Sequence, residues 1–319
     1  MAESLAVGID LGGTKLAGAL VDAHGKIVAK REEPTRSERG PDAVVASMAT
    51  LVRGLEAEGA KLGREVVGVG VGAPAPLDPR TGVVWAMPNL GPAWKGYPLK
   101  AKLEAALGDK RVAVENDANA AMVGEAWIGA AARARDAALL TLGTGVGGGI
   151  VTAGVIVRGS RGVGAELGHI MVEREGHPCG CGGHGCLEQY ASGTAVARLA
   201  REALARNQRG ALAALGHAPS TQEVVTAARS GDELAREVIA FAGKMLGCGL
   251  VTIVHALNPE VVVLGGGFGT AAFDLLAPPA LAEFTPRVLE ASREGLRIVP
   301  AALGNDAGIV GAARSAFTG

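Results

Sequence analysis

Apolar and β-branched residues run through positions 5–10, break at Gly12-Gly13 and resume over 16–21, after which a polar turn at 22–25 leads into 26–30. Short apolar runs separated by Gly-rich breaks predict β-strands, here three antiparallel ones with a glycine-rich first turn. The same order returns later: 138–142 breaks at Gly143-Thr144-Gly145, resumes over 148–152, turns near Ala153-Gly154 and continues over 155–158. A module of three strands used twice, each copy followed by helical and strand patterns, predicts an α/β protein with two similar domains facing each other across a cleft.

Between the modules, Val44, Val45, Met48, Leu51, Val52 and Leu55 fall on one side of a helix over 41–59. A strand over 66–71, a proline-rich loop over 72–79, a short helix over 100–106, a strand over 111–115 and a helix over 119–129 follow. Further on, 193–206, 221–228 and 232–255 read as helices, and 260–264 as a buried strand ending in Gly265-Gly266-Gly267. Residues 307–317 form a helix rich in small residues that is expected to cross back onto the N-terminal domain. The domains expected are therefore 1–118, joined by the C-terminal helix in 305–319, and 119–304.

A chain of 319 residues with 48% hydrophobic content can bury cores for two domains. Its formal charge of -1 gives no electrostatic case for nucleic acid, and no apolar run reaches membrane-spanning length. The start of the chain moves from Glu3 and Ser4 straight into a strand, without the pattern of a signal peptide, so a cytoplasmic protein is expected. That compartment keeps thiols reduced, which favours metal-bound thiolates over disulfides.

Cys179, Cys181 and Cys186 lie in a tract whose Gly180, Gly182, Gly183 and Gly185 permit a tight wrap. Three such thiolates suit a tetrahedral structural Zn²⁺ with a histidine as fourth ligand, and His169, His177 and His184 are all within reach. With four ligands no position stays open for a catalytic water.

Three glycine-rich loops follow strands and can cradle phosphate through backbone N–H groups. Gly143, Gly145 and Gly148 satisfy GxGxxG, but a strand follows where a dinucleotide fingerprint needs a helix. Gly13-Thr14-Lys15 inverts the order that a P-loop requires, and again a strand follows. The remaining reading is a clamp of two Gly/Thr turns on a polyphosphate, with Asp10 holding Mg²⁺ directly or through water and with Lys15, Thr14 and Thr144 meeting phosphate oxygens. The third loop, at 265–269, can let an adenine or ribose approach the backbone closely.

These residues resemble those of the ROK family of sugar kinases and repressors, within the hexokinase and actin-like ATPase superfamily. Asp10-Leu11-Gly12-Gly13-Thr14-Lys15 resembles the family's first phosphate loop, and Glu115-Asn116-Asp117-Ala118-Asn119-Ala120 its catalytic segment. The run from Leu142 through Gly145, Gly147, Gly149, Ile150, Gly159 and Ala165 to Gly168-His169 is similar to the family signature, and 179–188 to its zinc loop. The resemblance extends from residue 5 to about 315.

It implies two actin-like or hexokinase-like (ribonuclease H-like) domains and an ATP-dependent hexose kinase, with glucose as the sugar because Glu166 and Glu188 are both present. It further implies a sugar held by Asn89, Asn116, Asp117, Glu166, His169 and Glu188, with Asp117 as general base, and a nucleotide held by Asp10, Gly12, Gly13, Thr14, Lys15, Thr144, Gly145, Gly265, Gly266 and Gly267. It names His169 as the fourth zinc ligand beside Cys179, Cys181 and Cys186, the other ring nitrogen meeting a sugar hydroxyl. A homodimer or dimer of dimers is expected. Two departures bear on the sugar pocket: Ala75 stands where relatives usually have glycine, and Gly91-Pro92-Ala93-Trp94 is slightly longer than the common form. Other hexoses (fructose, mannose, an N-acylhexosamine) and polyphosphate as donor stay open. A regulator that binds DNA would need a helix-turn-helix module ahead of the first loop, and only nine residues precede Asp10.

Overall fold

The computed structural model describes residues 4–108, 110–207 and 209–318. Residues 1–3, 109, 208 and 319, which fall inside the expected domain ranges, lie outside the described residues. The chain forms two compact units: one takes in the chain up to Arg135, Gly149–Ala165 and the stretch from Asn305 onward, the other Asp136–Gly148 and Glu166–Gly304.

The first unit is built on strands β1 (Leu5–Leu11), β2 (Lys15–Asp22), β3 (Ile27–Pro34), β4 (Val66–Ala73) and β5 (Val112–Asn116), with helices α1 (Pro41–Lys61), α2 (Leu99–Ala106) and α3 (Asp117–Ile128). The sheet order is β3-β2-β1-β4-β5. β1 pairs antiparallel with β2 and parallel with β4, which continues parallel into β5. Strand position explains composition. β1 and β4, flanked on both sides, are almost wholly buried, whereas the edge strand β3 carries the charged run Lys30-Arg31-Glu32-Glu33.

Alternation along β1 separates two faces. Leu5, Val7, Ile9 and Leu11 point into a large core shared with α1 and α2, and Ala6 points into a thinner layer. Asp10 is the last residue on that thinner side.

The second unit contains β6 (Ala137–Leu142), the first part of β7 (Val146–Thr152), α4 (Glu188–Ala191), α5 (Gly193–Arg206), α6 (Gly210–Ala213), α7 (Thr221–Arg229) and α8 (Glu233–Leu257). It goes on through β9 (Val261–Gly265), α9 (Gly266–Ala271), α10 (Phe273–Phe284), α11 (Glu290–Arg293) and β10 (Arg297–Pro300). β7 passes into the first unit at Gly149, followed by the two-residue strand β8 (Val155–Ile156). The sheet order β10-β9-β6-β7-β8, read from its other end, reproduces the topology of the first sheet, with β6, β9 and β10 parallel and β7-β8 antiparallel. The repeat seen in the sequence is therefore a repeat of topology.

One expectation needs correction. α8, at 25 residues, is long and apolar enough to cross a membrane, which no run was expected to be. Its apolar side, including Leu234, Ile239, Leu246, Leu250 and Val254, is buried, and α5, α7 and α10 of the same unit pack on it, as for a core helix of a folded domain.

The last helix, α12 (Ala307–Thr318), belongs to the first unit and packs on β1, β4 and α3. Its small residues allow this. A Cβ at Gly8 or Gly70 would fall on the Ile309 or Ala312 carbonyl, and one at Gly311 on the Ala120 carbonyl. Ala6, Ala17 and Ala19 complete the thin layer with Ile309, Ala313 and Ala316. The Asp10 carboxyl lies at the start of this helix, about where a side chain at Gly308 would touch it.

Candidate active site

In the first unit, the predicted residues gather where parallel strands end. Asp10 of β1 is in register with Gly72 of β4, and Ala73 with Asn116 of β5. Carboxyl ends of adjacent parallel strands are where α/β sheets bind ligands. Burial raises the Asp10 carboxyl above its ordinary value, against the opposing pull of Lys15 and Lys30.

The Gly12–Thr14 turn is closed by Gly12 N–H to the Lys15 carbonyl at 2.9 Å. It is pinned by Thr35, whose Oγ1 donates to the Gly12 carbonyl at 2.7 Å and whose N–H donates to the Thr14 carbonyl at 2.9 Å. Thr35 is buried, and sequence reasoning missed it because nothing in the pattern near residue 35 marks it. Lys15 is an exposed ion-pair partner of Glu32 at 3.0 Å, so contact with a phosphate requires it to change partner. Asn89, exposed in a short 3-10 turn, lies beside Gly13, where an added side chain would meet its backbone and Cβ.

Asn116 caps α3. Its Oδ1 accepts from Ala118 N at 3.0 Å and Asn119 N at 3.1 Å, while its Nδ2 donates to the Ala75 carbonyl at 3.5 Å. The unusual Ala75 thus touches a predicted site residue through its backbone. Asp117 is the first residue of the helix and its Oδ1 accepts from Ala118 N at 2.8 Å.

Behind this turn, buried Glu115 accepts from Asn116 N and Asn119 Nδ2, both at 3.2 Å, and from Arg158 Nε at 2.6 Å. Arg158 was not foreseen as a partner, since the pair is separated by 43 residues.

In the second unit, the Gly143–Gly145 turn is closed by Gly143 N–H to the Gly145 carbonyl at 2.9 Å, and Gly193 N–H donates to the Gly143 carbonyl at 2.7 Å. Thr144 and Gly267 line one cavity of about 660 Å³ together with Thr194, Thr221, Gln222, Arg229 and Phe268. That volume falls within the usual range for small-molecule pockets, roughly 300–1,000 Å³. Gly265 and Gly266 stand behind it: Gly266 has φ +78 and packs against Leu142, and α9 begins at once where a loop over 265–269 was expected. Thr194, Thr221, Arg229 and Phe268 were not singled out, because they come from three helices far apart in sequence.

The cysteine tract closes on His169. The ligand atoms of His169, Cys179, Cys181 and Cys186 all lie within 4.8 Å of one another. Cys179 Sγ is 3.6 Å from His169 Nδ1, and Cys181 Sγ is 3.6 Å from Cys186 Sγ. A tetrahedral zinc with metal–sulfur bonds of about 2.3 Å separates its ligands by about 3.7 Å, so the set fits. His177 is engaged elsewhere, with Arg198 at 2.8 Å and edge-on to Tyr190. Burial among the other thiols pushes the Cys186 thiol up to about 12, while the Gly183 backbone N–H pulls Cys181 down. Three thiols packed this closely need a cation to ionise together.

His169 Nε2 points away from the sulfurs, 4.0 Å from Glu166 Oε2. Glu166 is raised above its ordinary value, by desolvation first and then by Glu188, with His169 opposing. Glu188 opens α4. Its Oε2 accepts from Val146 N at 3.0 Å and its Oε1 lies 3.9 Å from Cys179 Sγ, so this carboxylate joins the glycine turn to the cysteine tract.

Comparison with known proteins finds relatives along nearly the whole chain. The ROK family model matches residues 6–317. A glucokinase of Halalkalibacterium halodurans is 38% identical over 315 residues, covering 98% of this chain and 94% of the relative. One from Thermotoga maritima is 37% identical over 310 residues, covering 96% of this chain and 95% of the relative. The crystal structure of a ROK family glucokinase from Streptomyces griseus in complex with glucose and AMPPNP superposes with a TM-score of 0.84 at 35% identity, covering 99% of this chain and 100% of that one.

Proposed function

The chain belongs to the ROK family, and from that premise we infer that it is an ATP-dependent glucokinase, a phosphotransferase with a sugar hydroxyl as acceptor. The observation that carries the reading at the level of residues is the carboxyl edge of the first sheet. There Asp10 and the Asn116-Asp117 pair end neighbouring strands in register through β4. Phosphoryl transfer to an alcohol needs one carboxylate for the metal that accompanies the phosphates and another to receive the hydroxyl proton.

Asp117 takes the second role. Its place at the start of α3 aims the carboxylate through its own backbone contact, ready to accept the proton of the 6-hydroxyl as the phosphoryl group arrives. Asn89 and Asn116 supply neutral contacts to the sugar, and Glu166, Glu188 and His169 Nε2 accept or donate bonds to its other hydroxyls. Asp10 would hold Mg²⁺, which would neutralise phosphate charge; its place at the carboxyl end of β1, in register with Gly72 of β4, supports that assignment. Gly12, Gly13, Thr14, Lys15, Thr144 and Gly145 meet the phosphates, and the 660 Å³ cavity lined by Gly267, with Gly265 and Gly266 behind it, receives the nucleoside.

His169, Cys179, Cys181 and Cys186 hold a zinc that fixes the His169 ring and the start of α4. Dependence on ATP and on ionised thiols fits a cytoplasmic protein. Asp117→Ala tests the central role: kcat should fall about 10²- to 10⁴-fold with KM for ATP little changed, and near wild-type kcat would remove Asp117 as the base.

A further inference from the structure

β5 is the edge strand of the first sheet, and its outer side is not bare. A cavity of about 520 Å³ runs along it, lined by Arg80, Lys100, Arg111, Glu115 and Arg158. Four cations face one carboxylate, and the single negative charge is already spoken for by Arg158 at 2.6 Å. Arg80 is opposed by Asp78 at 3.4 Å. Among the described residues, Lys100 and Arg111 have no carboxylate partner, and the Arg111 guanidinium donates to the Ala316 carbonyl. Among the described residues, Lys100 and Arg111 leave the cavity with an excess of positive charge, tempered by the Glu104 carboxylate that accepts from Val112 N on the same edge.

The strand adds a donor. Val69 N–H donates to the Arg111 carbonyl at 3.1 Å, and in a parallel pair the backbone groups of alternate residues point the other way. Of those outward N–H groups, Val112 N is taken by the Glu104 carboxylate and Asn116 N by that of Glu115, each at 3.2 Å. The Val114 N–H is left on the open edge, along the strand segment that lines the cavity.

We propose that this cavity is a second binding site, separate from the sugar and nucleotide residues, for a small phosphorylated anion bearing two or more negative charges. Guanidinium and ammonium groups without carboxylate partners, with a backbone N–H beside them, are the donors that a phosphate group uses. A volume of this size suits a small molecule. The site is wired to catalysis through Arg158. One Glu115 oxygen holds Arg158 and the other holds Asn116 N and Asn119 Nδ2, so an anion that draws Arg158 toward itself loosens the clamp on the turn that carries Asp117. This second step rests on the reading of Asp117 as the base; the binding site does not.

Calorimetric titration tests it, using protein saturated with glucose and a non-hydrolysable ATP analogue at low salt, with tripolyphosphate and glucose 6-phosphate as separate probes. One probe molecule should bind per chain. The Lys100→Gln/Arg111→Gln double variant, first shown to melt like wild type, should bind it roughly 10- to 100-fold more weakly, while Thr144→Val should bind it as wild type does. Raising salt should weaken binding. Tighter binding of glucose 6-phosphate would identify a sugar phosphate as the ligand, and tighter binding of tripolyphosphate an inorganic phosphate chain. In turnover assays the bound probe should alter kcat in wild type and leave the double variant unaffected. Failure of both probes to bind the liganded protein, or binding lost in Thr144→Val and kept in the double variant, would overturn the proposal. Because binding is read without turnover, that outcome is distinct from a failure of the kinase reading.

Discussion

Replacing Gly145 by alanine should weaken sugar binding while leaving the fold almost untouched. Gly145 is outside the positive-φ region, so its backbone accepts a side chain. The added methyl would meet one group only, the Glu188 carboxyl, and would overlap its Oε2. That oxygen is the far end of a flexible side chain, so the clash is relieved by rotating Glu188 away, at the cost of its 3.0 Å bond from Val146 N. A hydrogen bond to a charged group contributes about 1.5–3 kcal/mol. If Glu188 binds a sugar hydroxyl, a comparable loss there corresponds to roughly a 10- to 150-fold rise in the sugar dissociation constant. The melting temperature should fall by no more than a few degrees. The assay is KM for glucose and for ATP in Gly145→Ala, Glu188→Ala and the double variant. In the Glu188→Ala background the glycine change should be nearly silent, because the group it displaces is gone. Additive effects on glucose KM, or a loss borne wholly by ATP, would refute the role given to Glu188.

Two further outcomes follow from the charges at the site. Burial raises the Asp10 carboxyl, so its protonated form favours folding: that contribution is present below the ordinary carboxylate value and is lost as pH rises through the raised one. Asp10→Asn should therefore melt above wild type at neutral pH, with the gap closing toward about pH 4, and should lose activity; a variant that melts below wild type at neutral pH would contradict this. Cys181→Ser should lose its zinc and raise KM for glucose, with KM for ATP largely unchanged. Metal analysis beside sugar titration of the folded variant checks this, and a zinc-free protein that binds glucose as wild type does would sink the coupling.

Much of the scaffold was legible because its strands are short, apolar and punctuated by glycine. Residues 193–206 were read as the helix that the structure contains, Gly193–Arg206. β10 and α10 were not read: Arg297–Pro300 is too short to show alternation, and Pro278 and Pro279 mask a helix whose Leu276, Ala280 and Phe284 are buried and which packs on α8. The thiols and glycine turns announced themselves because their residue types do little else at such spacing. Thr35, Arg158, Thr221 and Arg229 did not, since each acts through a partner brought close only by folding.

The central claim is tested most directly by product analysis of wild-type enzyme supplied with ATP, Mg²⁺ and an equimolar panel of hexoses. Phosphorus and carbon NMR should show glucose 6-phosphate forming in one-to-one step with ADP, ahead of fructose, mannose and N-acylhexosamine products, at a kcat within the ordinary range of about 1–10³ s⁻¹. Preference for another hexose, or ADP released without a sugar phosphate, would contradict the account.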